Sequence, residues 1–172
     1  PTAVANAGMK TGVARRPIVD MDGYEASLKE RMDPTANMLR NLNSRARANQ
    51  STVVFAEGDD PRVLRAAVTY QRSGFGRALV VGRDDDVAAT LTAEGMAEAI
   101  GELEIVNAAK TQDLETYKDF LYARLQRKGM DRQDVHRLAA RDRHVFASLM
   151  VAHGHADGMV TGVTRKSAHV LE

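Results

Sequence analysis

Beyond residue 50, short continuous apolar runs alternate with segments in which apolar residues recur every three or four positions. The runs at 52–56, 78–82 and 104–106 are rich in Val and Ile and stop at Gly, Asn or acidic residues, which predicts β-strands. The periodic segments between them predict amphipathic helices. Strands that alternate with helices predict an α/β fold, a three-layer α/β/α arrangement around a mostly parallel sheet.

The helix boundaries follow from capping residues. Asp60 is a predicted N-cap with Pro61 at the first helical position, and Ser73-Gly74 ends this helix. Acids at 84–86 favour a helix start, because a helix N-terminus attracts negative charge. Further helices are predicted at 113–128, 131–140 and 142–153, and a strand at 158–162 leads into a helix that begins near residue 164.

The first fifty residues have a different character. Residues 3–16 are Ala/Gly-rich and basic, with a proline following two arginines, and are predicted to be a tail or linker, whereas 22–32 and 34–49 are predicted helices. Residues 1–50 carry eight Lys and Arg against five acids, and residues 51–172 carry sixteen against eighteen. This change of net charge from +3 to −2 predicts a boundary near Gln50.

The amino-acid composition excludes several classes of functional site. The 172 residues are 44% hydrophobic and 27% charged, with a net charge of +1 and no Cys. A disulfide framework, an iron–sulfur cluster, a thiolate zinc site and a Cys nucleophile are therefore excluded. Near-neutral charge, no Trp and no long apolar stretch indicate a cytoplasmic protein that binds neither nucleic acid nor a membrane.

The strongest candidate site lies after the last predicted strand, where a helix begins. Backbone N–H groups at a helix N-terminus bind anions, and an arginine there can bind phosphate or carboxylate in a fork. The residues predicted to bind an anion are Thr161, Gly162, Thr164, Arg165, Lys166 and Ser167. The segment is not a P-loop, because Arg165 stands where a glycine is required. A capped, solvated helix start is the alternative, and composition alone leaves the two open.

Other polar clusters have simpler explanations. Three acids lie at 57–60, but capping explains Asp60, and Glu57 is expected to face the same crevice as the anion loop. The imidazoles at 153 and 155 are too close in sequence for a helical metal pair and are predicted to serve the end of a helix. His136 and His144 are predicted to lie on the surface. No metal site is predicted.

Four segments occur in a suggestive order: VVFAEGDDPRVLRAA at 53–67, LVVGR at 79–83, RKGM at 127–130 and ADGMVTGVTR at 156–165. In order and spacing they resemble the phosphate acetyltransferase (phosphotransacetylase) family. The form TGVTR, and the upstream segment GVARRPI at 12–18, resemble the version of that domain fused to bacterial NADP-dependent malic enzymes.

The resemblance implies a domain organisation. Residues 1–21 would be the tail of a malic enzyme catalytic domain and its linker, and residues 22–50 linking helices. Residues 51–172 would be the N-terminal half of a transacetylase-like domain, an incomplete isocitrate/isopropylmalate-dehydrogenase-like lobe. The family's Ser/Arg/Asp group would then lie downstream, so no catalytic residue is expected in this chain.

The resemblance also implies a ligand. The anion loop would line a cleft for acetyl-CoA or CoA and phosphate, with Arg127 and Lys128 as a contact to the CoA phosphates. The parent would convert malate to pyruvate with NADP and Mg²⁺ or Mn²⁺ bound elsewhere. This region would sense an acyl-CoA and hold the rest of the chain in a homo-oligomer. Two alternatives stay open: part of an active phosphate acetyltransferase, and a purely structural dimerisation module.

Overall fold

A computed structural model describes residues 2–164, apart from the side chains of residues 30, 32 and 34. Residues 1–45 and residues 46–172 form two separate compact units. The helix predicted from residue 164 onward lies outside the described residues, as do Arg165, Lys166 and Ser167. No helix in the described part is both long and apolar enough to cross a membrane.

Three helices occupy the beginning of the chain: α1 (Thr2–Lys10), α2 (Met21–Met32) and α3 (Pro34–Ala48). Within the segment predicted to be a tail or linker, α1 forms from Ala-rich sequence of high helix propensity, and the role of this segment stays a prediction. The other two helices are confirmed. Asp20 caps α2 by accepting from the Gly23 N–H, and Asp33 caps α3 by accepting from the Ala36 N–H, both at 2.9 Å.

The second unit alternates strands and helices as the sequence predicts, with boundaries that differ by a few residues. Its elements are β1 (Ser51–Phe55), α4 (Pro61–Arg72), β2 (Gly76–Val81), α5 (Asp84–Ala93), β3 (Glu104–Val106), α6 (Leu114–Leu125), α7 (Arg132–Arg141), α8 (Arg143–Ala152) and β4 (Gly158–Val160). Two 3-10 turns, Ala97–Ala99 and Gln126–Lys128, lie between these elements.

The four strands form one parallel sheet in the order β3-β2-β1-β4. In this register Phe55 of β1 lies opposite Val80 of β2 and Val160 of β4. The predicted α/β class is confirmed. Because β4 pairs with the far side of β1, the chain reverses its direction of travel across the sheet there, and the loops after β1 and β4 become neighbours.

Apolar side chains fill both faces of the sheet. Val54 and Leu79 belong to a core with residues of α6, α7 and α8, whereas Phe55 and Val80 belong to a core with residues of α4 and α5. Successive strand residues point to opposite faces, so β1, β2 and β3 each contribute to both cores. The layers are therefore helix, sheet and helix. The more specific dehydrogenase-like lobe stays a prediction.

Candidate functional site

The carboxyl ends of the four strands meet at one edge of the sheet. Parallel sheets bind ligands at this edge, most often where the strand order reverses. Here the reversal lies between β1 and β4, and the backbone N–H of Ala56 bonds the Val160 carbonyl at 3.1 Å. The residues just beyond this pair, Glu57 on one side and Thr161 on the other, begin the candidate site.

Glu57 is fully buried and binds the loop after β4. One carboxylate oxygen accepts the Val163 N–H at 2.9 Å. The other accepts the Thr164 N–H at 2.7 Å and the Thr164 hydroxyl at 2.5 Å. Two successive backbone N–H groups that converge on a carboxylate form an anion-binding nest. Glu57 therefore contacts the anion loop as its predicted proximity requires, but from the protein interior rather than across an open crevice.

These hydrogen bonds keep Glu57 ionised. Burial alone would raise the pKa of its carboxyl, because a charged group is disfavoured away from water. The donors from Thr164 and Val163 outweigh that effect and hold the pKa below its ordinary value of 4.5. Among the described residues, the charge of this buried carboxylate is therefore balanced by hydrogen bonds rather than by an ion pair.

His144 holds the same loop at a second point. The prediction of a surface position is wrong: the side chain is 5% exposed in the first turn of α8, and its Nδ1 shares a hydrogen bond with the Thr161 hydroxyl. Its Nε2 is buried and has no partner among the described residues. Because no described carboxylate orients the ring, the pair lacks the third group that activates a hydroxyl nucleophile.

These contacts limit what the predicted anion loop can offer a ligand. The N–H groups of Val163 and Thr164 already donate to Glu57. An external anion at this loop must therefore rely on other groups, such as the backbone at Gly162 or the side chains from residue 165 onward. At Gly162, where φ is +96°, no described atom lies within 4 Å of the place a side chain would occupy, so this part of the loop is open.

The other two acids of the loop after β1 bind groups of the protein itself. Asp60 caps α4 through the Arg62 N–H at 2.8 Å and pairs with the Arg62 guanidinium, and these contacts lower the pKa of Asp60 to about 2. Asp59 pairs with Arg143. Within residues 2–164 no group of three or more His, Asp and Glu side chains is arranged to hold a metal ion.

A cleft of about 340 Å³ opens beside this loop, at the ends of β1, β2 and β3. Gly58, Gly82 and Asn107 line it from the strand ends, and Arg83, Arg141 and Arg143 are its cations. Arg83 pairs with Asp86 at 3.5 Å and Arg143 with Asp59, whereas no described acid pairs with Arg141. Among the described residues, the cleft thus offers the Arg141 guanidinium to an anionic ligand.

Arg127 and Lys128 lie in the 3-10 turn after α6. Both are exposed, and neither lines the cleft. The sequence shows Arg141 and Arg143 only as part of a cationic segment at 118–143, and it does not assign them to a site with Arg83. The fold brings Arg83, which follows β2, to the same cleft as these two residues.

Among the remaining histidines, His153 and His136 lie as predicted, whereas His155 contacts the Tyr117 hydroxyl rather than a carbonyl at the end of a helix. Nδ1 of His153 lies 2.9 Å from the Leu149 carbonyl at the end of α8, as expected for a helix-end histidine. Nδ1 of His155 lies 2.5 Å from the Tyr117 hydroxyl, and His136 is exposed. Burial raises the pKa of Tyr117 to about 12, so this phenol stays protonated near neutral pH.

Comparison with known proteins places this architecture among acyl transferases and malic enzymes. An NADP-dependent malic enzyme of Rhizobium meliloti (strain 1021) is 45% identical over 172 residues, which is 100% of this chain and 23% of that protein. A phosphate acetyltransferase of Thermoanaerobacterium thermosaccharolyticum is 27% identical over 78% of this chain and 40% of that protein. The chain therefore spans less than half the length of either relative.

A solved structure of a phosphotransacetylase is also similar to this chain. The phosphotransacetylase from Streptococcus pyogenes superposes with a TM-score of 0.70 at 26% identity, over 80% of this chain and 40% of that one. The family model described as phosphate acetyl/butaryl transferase matches residues 37–172. The resemblance seen in the sequence motifs is confirmed, and the chain belongs to the phosphate acetyl/butaryl transferase family.

Proposed function

We propose that this chain is the transferase-like region of an NADP-dependent malic enzyme and that it senses an acyl-CoA. One observation carries the proposal. The similarity to the malic enzyme covers the whole chain, whereas the family model begins at residue 37 and the phosphate acetyltransferase matches 78% of the chain. Residues 1–36 therefore match the malic enzyme but lie outside the match to the family model. They favour the malic enzyme as the parent protein.

The proposal assigns a role to each part of the chain. Residues 1–21 end a malate-oxidising domain, residues 51–172 are the first half of the transferase-like domain, and residues 22–50 link the two. NADP and the divalent cation belong to the malate-oxidising domain, where they would accept hydride and polarise the substrate. The described residues of this chain offer no metal-ligating cluster of their own.

Two observations support an acyl-CoA as the ligand: relatives of this chain include a phosphate acetyltransferase, and the site favours a phosphate-bearing molecule. Arg141 lines the cleft at the ends of β1, β2 and β3, and no described acid neutralises its guanidinium. The loop residues Thr161, Gly162 and Thr164 follow β4 at the same edge of the sheet. Arg165, Lys166 and Ser167 continue the loop and add two cations and a hydroxyl. Arg127 and Lys128 are assigned to the phosphates at the nucleotide end of the ligand.

Assays on the full-length protein that contains residues 1–172 test this proposal. Malate-dependent reduction of NADP should be measured while acetyl-CoA is titrated, and acetyl-CoA binding should be measured by calorimetry. We expect malate oxidation, saturable binding and a change of rate over the same concentration range. Malate oxidation that is insensitive to acetyl-CoA, with no binding, would contradict the sensing role.

Two further measurements distinguish the alternatives. Formation of acetyl phosphate from acetyl-CoA and phosphate would indicate an active phosphate acetyltransferase, an activity named for the structural relatives. Loss of the oligomer on deletion of residues from 51 onward, in a protein that binds no CoA, would indicate a structural dimerisation module instead. Retained acetyl-CoA binding without acetyl transfer is the result that the proposed function expects.

A further inference from the structure

Two buried side chains hold the loop after β4 from the protein interior. Glu57 accepts three hydrogen bonds from Val163 and Thr164, and His144 bonds the Thr161 hydroxyl. Both side chains are at least nine-tenths buried, so neither is accessible to a ligand on the outside of the loop. The two contacts fix the beginning and the end of the segment 161–164.

The Glu57 carboxylate stays bound to the loop after β4 when a ligand is present. It does not occupy the position of an anionic ligand. An incoming phosphate that displaced it would leave a fully buried carboxylate without its donors, and an uncompensated buried charge is strongly unfavourable. The N–H groups of Val163 and Thr164 consequently stay directed inward. Gly162 lies between the two anchored ends, and no described atom lies within 4 Å of the place its side chain would occupy.

We infer that Glu57 and His144 are positioning residues for acyl-CoA, which hold the loop 161–164 in its binding conformation without touching the ligand. This inference rests on the proposed function, because it assigns acyl-CoA to this loop. A loop ordered before the ligand arrives costs less conformational entropy on binding. Loss of either contact should therefore weaken binding even where the fold survives.

The first test is Glu57→Gln in the full-length protein, with acetyl-CoA as the probe. The amide of Gln places a donor where the carboxylate accepted one, so at least one of the three hydrogen bonds is lost. We expect the Kd for acetyl-CoA to rise roughly tenfold or more, as for the loss of a hydrogen bond to a charged group. Glu104→Gln, at an exposed glutamate of β3, is the matched control and should leave the Kd unchanged.

Hydrogen–deuterium exchange supplies a readout that needs no ligand. The amides of Val163 and Thr164 should exchange slowly in the unmodified protein and faster in Glu57→Gln, because their acceptor has changed. Unmodified protein that binds no acetyl-CoA would overturn the proposed function and this inference with it. Binding by the unmodified protein that Glu57→Gln leaves unchanged, despite faster exchange, would overturn this inference alone.

The second variant, His144→Phe, separates positioning from stability and remains informative if Glu57→Gln fails to fold. Phe fills a similar volume and removes the buried Nε2 that has no described partner, so the melting temperature should stay the same or rise. The Thr161 hydroxyl loses its contact with the ring, so acetyl-CoA affinity should fall severalfold. Unchanged affinity in this variant would overturn the role of His144.

Discussion

The Glu57 carboxylate and the Thr164 backbone N–H are joined by a 2.7 Å hydrogen bond between residues 107 positions apart. This bond ties the loop after β1 to the loop after β4, at the place where the strand order of the sheet reverses. Because Glu57 is also buried, the conformation of the candidate ligand loop depends on the charge of one interior group.

Acidification should therefore destabilise the protein through Glu57. The folded-state pKa of this carboxyl lies below its ordinary value of 4.5, so the unfolded chain binds the proton more readily. The stabilisation is complete above pH 4.5 and is lost as the pH falls through the lowered folded-state pKa. Urea unfolding of the unmodified protein and of Glu57→Gln, from about pH 7 to about pH 3, should show a shallower loss in the variant.

The comparison is made at equal ionic strength, with Glu104→Gln as the control for removing an exposed glutamate. The control should follow the unmodified protein throughout. Parallel curves for Glu57→Gln and the unmodified protein would show that Glu57 does not contribute to the acid dependence.

The sequence allowed the local structure around this site to be predicted. Asp60 and Pro61 adjoin each other, so their roles at the start of α4 follow from two neighbouring residues. The strands were recognisable because the second halves of β1 and β2 are buried on both faces and therefore apolar. These features depend on interactions that short sequence windows contain.

The two contacts that hold the loop after β4 could not be predicted from short sequence windows. Glu57 meets Thr164, and His144 meets Thr161, because β4 adds to the sheet beside β1 rather than beside β3. That strand order is a property of the whole chain, and no local pattern specifies it. His144 was assigned to the surface for the same reason: it is buried and bonds Thr161 after β4, and its own helix does not reveal that contact.

The start of β2 has little room for any residue other than glycine. Gly76 lies opposite Ser51 with a φ of +145°, and an added side-chain carbon would overlap the Ser51 carbonyl oxygen. Gly76→Ala should therefore force the two strands apart. Gly95 also has a positive φ, +71°, but no described atom lies within 4 Å of the corresponding position.

We expect Gly95→Ala to cost about 1 kcal/mol of unfolding free energy, the penalty of a left-handed backbone alone. Gly76→Ala should cost at least about twice as much, because the backbone clash adds to the unfavourable φ. Urea unfolding of both variants checks this order. Equal decreases in unfolding free energy would mean that the start of β2 shifts to accommodate the alanine at no further cost.

The core on the α4 side of the sheet provides a packing test. Leu64 is fully buried in α4, whereas Leu39 in α3 is 54% exposed. Leu64→Ala should lower the unfolding free energy by about 2 to 5 kcal/mol, because it removes apolar contacts and leaves a cavity. Leu39→Ala should change it by less than about 0.5 kcal/mol. Similar losses in chemical denaturation would show that Leu39 is covered in solution.

Arg165 comes directly after the anchored loop and is the first cation beyond it. Since Glu57 occupies the N–H groups of Val163 and Thr164, charge for a phosphate must come from side chains such as this guanidinium. Under the proposed function, Arg165→Ala in the full-length protein should raise the acetyl-CoA concentration needed for half-maximal inhibition of malate oxidation roughly ten- to hundredfold. Arg77→Ala, at the opposite end of β2, is the matched control and should leave inhibition unchanged. Normal inhibition in Arg165→Ala would remove this residue from the site and assign the anion to the cleft around Arg141.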